Sequence, residues 1–79
     1  MRDMTITANA IDNLLDSYAD HKAMMKIFEN EVDFDIDKLE NDMEYMYHRG
    51  FCEAAERWMK CAGISPDSPI VENMVNKYL

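Results

Sequence analysis

Glu29-Asn30-Glu31-Val32-Asp33-Phe34-Asp35-Ile36-Asp37-Lys38-Leu39-Glu40-Asn41-Asp42-Met43-Glu44 is the stretch on which the architecture turns. Within it, Val32 to Asp37 alternate apolar and acidic residues with period two, the pattern of a half-buried strand. A strand needs a partner, and no second segment of this chain offers one. The alternation therefore reads as a bend between helices, with Asp35 or Asp37 capping the helix that follows. Asp37 and Glu40 stand at capping-box spacing, with Asp in the usual Ser/Thr place. The fold class that results is all-α.

Upstream, Ile11, Leu14, Leu15, Tyr18, Met25, Phe28 and Val32 recur at three- and four-residue steps and predict a long helix over about residues 8–30. Thr7 is placed as its N-cap, with Ile6 closing over Ile11 as a hydrophobic staple. Downstream, Leu39, Met43, Met46 and Tyr47 mark a second helix over about 37–48. Gly50 is read as a turn, making a helical hairpin with a third helix lined by Phe51, Ala54, Ala55, Trp58, Met59 and Ala62. Gly63 suits the position just past its end. Ser65-Pro66-Asp67-Ser68-Pro69 is a turn, with Ser68 as N-cap and Pro69 at the first helical position. Ile70, Val71, Met74, Val75, Tyr78 and Leu79 form a short terminal helix whose apolar stripe must dock. This describes one helical domain over residues 1–79, a small bundle of about four helices. Its rival is a coiled coil, because Ile11, Tyr18, Met25, Val32, Leu39 and Met46 repeat every seven residues. The companion positions Leu14, His21, Phe28, Asp35 and Asp42 are mostly polar, which favours the bundle.

Sixteen acidic against eight basic residues leave a net charge of −8, all of it within residues 1–44. A chain that is 48% apolar is no disordered acidic tail. The charge also disfavours direct binding of nucleic acid or an anionic membrane, both of which call for excess Lys and Arg. No 18-residue apolar run exists, and Met1-Arg2-Asp3-Met4-Thr5 lacks the apolar stretch of a signal peptide. Cys52 and Cys61 are too few for a disulfide scaffold, so reduced thiols and a cytoplasmic location are expected. Phe51, Tyr47, Trp58 and Met59 are read as core. Met24, Met25, Met43, Met46 and Met74 are candidates for an adaptable binding face.

Three local patterns bear on chemistry. Asp33, Asp35, Asp37 and Glu44 stand at places one, three, five and twelve of a loop that resembles an EF-hand calcium site. The likeness fails at Lys38, where the sharp turn calls for Gly, and at Glu40, where an apolar residue is usual. Phe51, Ala54, Trp58 and Pro66 resemble the second helix of a tetratricopeptide repeat, which implies a helical hairpin and nothing functional. His48 and Cys52, four apart, are soft-metal ligand types, but a zinc site needs Cys61 or His21 to converge on them from elsewhere. No metal or other cofactor is therefore assigned. The chain has no Gly-rich phosphate loop, no Gly-x-Ser-x-Gly elbow and no His-Glu-x-x-His pair, so no catalytic residues are assigned and an enzyme is not expected.

The function expected from these features is binding. Glu29, Glu31, Asp33, Asp35, Asp37, Glu40, Asp42 and Glu44 form an acidic segment, and Asp12, Asp16 and Asp20 a second stripe at four-residue steps. Phe34 and Ile36 are the apolar anchors within it. The partner expected is a protein with a basic surface, such as a nucleic-acid-binding groove, blocked by electrostatic and steric competition. In size and charge the chain is similar in kind to phage-encoded inhibitors of host defence, such as anti-CRISPR proteins and DNA mimics. No family motif matches residue by residue. The alternatives are a helical homodimer with a merely solubilising acidic face, burying helices 1 and 4 against a second copy, and a degenerate EF-hand-like calcium binder.

Overall fold

A computed structural model describes the backbone from Arg2 to Leu79 and the side chains from Ala10 onward. Four helices follow one another: α1 (Arg2–Glu31), α2 (Ile36–Glu40), α3 (Met43–Cys61) and α4 (Pro69–Asn76). No strand occurs among the described residues, and the chain is a small all-helical bundle. With a rise of about 1.5 Å per residue, α1 alone is about 45 Å long. It sets the 48 Å long axis of the molecule. The radius of gyration is accordingly 14.0 Å, where a spherical chain of this size would have about 12 Å.

The chain reverses after α1 by a Schellman motif. The N–H of Phe34 donates to Glu29 C=O at 2.8 Å, and that of Asp33 to Asn30 C=O at 3.3 Å. The left-handed position that usually holds Gly is here Asp33, at φ 52°, followed by Phe34 at φ 60°. Asp35 then caps α2, its Oδ1 accepting from the N–H of Asp37 and of Lys38. After one turn of helix, Asp42 caps α3 in the same way, accepting from the N–H of Glu44 and of Tyr45. α3 returns antiparallel to α1, and α4 lies against α1 and completes the bundle.

Tyr18, Met25, Leu39, Tyr45, Cys52, Ala55, Met59 and Val71 form the main core. Ala19, Ala23 and Val75, with Met74 beside them, form a second cluster where α4 meets α1. Two alanines four apart on α1 let α4 come close there.

Several boundaries differ from the expected ones. α1 begins at Arg2, so Thr7 lies inside it and not at its cap, while the side chains of Thr7 and Ile6 fall outside the described set. Gly50 is no turn. It sits within α3, because Tyr45, Cys52, Ala55 and Met59 bury one unbroken face against α1. That burial outweighs the roughly 1 kcal/mol that glycine costs a helix. The expected second helix is instead split at Asn41–Asp42, and the hairpin pairs α1 with α3. Asp37 stands in the first turn of α2, so the Asp37/Glu40 capping box does not form. The heptad seam folds back on itself at Asp33, which leaves Tyr18, Met25 and Leu39 buried and Met46 exposed. Gly63 and Pro69 stand where expected, and Ser68 is the N-cap of α4 by position, without a side-chain capping bond.

Candidate functional site

The reversal between α1 and α3 projects an acidic elbow from one end of the bundle. Phe34 is 63% exposed, Ile36 67% and Met43 88%. Other large apolar side chains, Ile70 and Leu79 among them, are exposed as well; these three stand within ten residues at the elbow and form a candidate contact surface. Around them Glu31, Asp33, Asp37, Glu40 and Glu44 are also exposed. No salt bridge among the described side chains engages these five carboxylates.

Of the other expected acidic residues, four have duties within the fold. Asp35 and Asp42 hold helix N-termini. Glu29 accepts from the Tyr45 hydroxyl at 2.8 Å. Burial and then the Glu29 carboxylate push the Tyr45 phenol up to about 12. On α1, Asp12 and Asp20 face water, while Asp16 accepts from the Tyr78 hydroxyl at 2.6 Å and ties the C-terminal end to α1. Asp20 precedes Glu29 by nine residues, which on a helix is half a revolution. The Asp12–Asp16–Asp20 stripe therefore does not run into Glu29, and elbow and stripe are separate surfaces.

The segment with EF-hand spacing does not fold as an EF-hand loop. Residues 33–44 are no open loop, since α2 occupies their centre and two of their carboxylates are spent on caps. Among the described residues no three His, Cys, Asp or Glu side chains converge. Cys52 is buried and Cys61 exposed, and both are free. Burial pushes the Cys52 thiol up to about 11, with Lys22 opposing and Glu56 adding to the effect. Tyr47, expected in the core, is 63% exposed, and Trp58 lies at the surface at 36%. Of the five methionines considered for a binding face, Met25 is core, Met24 and Met74 are half-buried, and only Met43 and Met46 are exposed.

Two features lie beyond what spacing along the chain could show. The first is an open apolar groove of about 260 Å³ between α1 and α3, lined by Leu14, Phe51, Ala54, Ala55 and Trp58. The second is a pair of imidazoles. His21 on α1 and His48 on α3 place their Nδ1 atoms 2.6 Å apart. Phe51 stacks on His21 at a centroid distance of 4.0 Å, and Tyr47 meets both rings edge-on. His21 titrates below its ordinary value, first because burial disfavours its charge and then because His48 lies beside it, with Asp20 opposing. The signal for this pair was the antiparallel return of the chain, which no local motif announces.

Compared with known proteins, the chain matches no family model, no curated protein and no solved structure. None of the described helices is long and apolar enough to cross a membrane.

Proposed function

We propose that the protein is a binding module whose acidic elbow docks on a basic surface of another protein. One observation carries this reading: Phe34, Ile36 and Met43 stand exposed in a segment whose exposed carboxylates Glu31, Asp33, Asp37, Glu40 and Glu44 no salt bridge engages among the described side chains. Charge at the rim steers encounter, and apolar side chains at the centre supply the desolvated contact that charge alone seldom provides. A groove lined with Lys and Arg for nucleic acid has the complementary chemistry, and a module seated in it excludes DNA or RNA. The mechanism is steric and electrostatic competition, of the kind used by phage-encoded anti-defence proteins such as anti-CRISPR proteins and DNA mimics.

The test begins with tagged protein in bacterial lysate, washed at rising salt, followed by kinetics on the captured partner. Converting Asp33, Asp35 and Asp37 together to Asn removes charge but keeps the fold, since Asn caps helices and tolerates positive φ as well as Asp does. Association at low salt should slow by about tenfold and its salt dependence flatten. Phe34→Ala should mainly speed dissociation. Unchanged kinetics in both variants would remove the elbow from the mechanism.

The apolar groove favours a second reading, a homodimer in which the acidic surface only keeps the assembly soluble. Of the apolar stripe at the C-terminal end, Val71 and Val75 are already buried within the chain, while Ile70, Tyr78 and Leu79 stay exposed. Light scattering across a dilution series tests it, and a monomer throughout would dismiss it.

A further inference from the structure

We infer that His21 and His48 form an acid-sensitive latch between α1 and α3, closed while the pair shares a proton between its Nδ1 atoms and opened when both rings become charged. At 2.6 Å, one Nδ1 must donate and the other accept. The neutral pair meets this with opposite tautomers. A first added proton settles on the Nε2 of the donor ring, leaving a charge-assisted hydrogen bond in place. A second must go to the accepting Nδ1, which sets two N–H groups head to head and two cations in contact.

The surroundings offer little to absorb that second charge. The rings touching the pair, Phe28, Tyr47 and Phe51, come from α1 and α3 and carry no ionised group near neutral pH. Of the charged groups nearby, Asp20 on α1 favours a charged His21 but does not offset burial. Lys22 is directed to Glu56 and Arg49 to Glu53, so neither faces the pair. Phe51 is both the ring stacked on His21 and a wall of the Leu14–Trp58 groove. Opening the latch therefore frees that wall and changes the surroundings of Trp58, the single tryptophan of the chain.

The sign follows from the lowered His21 value. At the second step the folded chain binds fewer protons than the unfolded one, so this contribution is complete above the ordinary value of 6.5 and is lost as the pH falls toward the lowered one. Urea unfolding followed by Trp58 fluorescence, at about pH 7.5 and about pH 5.5 and constant ionic strength, reads the difference. The unfolding constant of the parent protein should rise on acidification by up to about tenfold for each unit by which His21 is lowered. His48→Gln, which keeps a partner for His21 but cannot charge, should lose the part of that component due to His48 and keep the part due to burial. His21→Phe, which keeps the stack on Phe51, should lose all of it, and either variant suffices if the other fails to fold. Carboxylate titration affects all three proteins alike and cancels in the comparison. Imidazole resonances of the parent should show two separated steps, the second coinciding with the Trp58 change. An equal pH response in parent and variants, or two rings titrating independently near 6.5, would overturn the latch.

Discussion

Asp42 shows how a single carboxylate can look like a binding residue and serve the backbone. Its Oδ1 accepts from two N–H groups at the start of α3, at 2.9 and 3.1 Å. Asp42→Ala should lower stability by about 1 kcal/mol, and Asp42→Asn by only a few tenths, since Asn caps as well as Asp. Glu44→Gln, two residues on and exposed in the first turn of α3, should lower stability by only a few tenths, the share of its charge at the helix N-terminus. Urea midpoints of the three variants check this. Phe34 presents the opposite case. A bulky side chain at φ 60° costs about 1–2 kcal/mol of backbone strain, yet this one is mostly exposed and recovers little of that by packing. An exposed aromatic at such a position is what the proposed contact outside the chain would explain.

At the scale of the element, two glycines take opposite roles in and after the same helix. A Cβ built at Gly50 meets nothing within 4 Å, and its backbone is helical. Gly50→Ala should therefore raise stability by about 0.5–1 kcal/mol. Gly63 has φ 77° and closes α3 with a Schellman motif, in which the Ile64 N–H donates to Met59 C=O at 2.7 Å and the Gly63 N–H to Lys60 C=O at 3.1 Å. Gly63→Ala should lower stability by about 1 kcal/mol. Thermal melts of the two variants should move in opposite directions. Equal shifts would contradict a continuous α3.

For the whole molecule, two buried phenols clamp α1 to α3. Tyr18 donates to Glu56 at 2.7 Å and Tyr45 to Glu29 at 2.8 Å. Both titrate well above the ordinary tyrosine value, chiefly through burial and then through the accepting carboxylate. The folded chain thus holds phenolic protons that the unfolded chain releases from about pH 10 upward. The stability they contribute is complete below that pH and is lost as the pH rises, so the bundle should unfold cooperatively in alkali. Far-ultraviolet circular dichroism against pH checks this. Tyr45→Phe should shrink the loss between about pH 10 and 12, because only one of the two buried phenols remains.

Much of the architecture was legible from local rules. The three-four periodicity marked α1, the Gly63 terminus and the Ser68-Pro69 start of α4 came from backbone preferences of single residues, and period-two alternation without a partner strand was correctly read as a bend. These are decided within a few residues, where sterics and hydrogen bonding of the chain itself dominate. The exposed Phe34 and Ile36 could likewise be singled out beside their carboxylates. What the tertiary structure alone decided depends on which faces meet across the reversal. Gly50, itself exposed, stays helical because burial of the opposite face of α3, with Cys52 and Ala55, outweighs its intrinsic preference. Glu29, Asp35 and Asp42 are drawn into the fold while Asp33 and Asp37 are left to solvent. His21 and His48 come together only because α3 runs back along α1, and a contact between residues 27 apart is set by that return path and not by either neighbourhood.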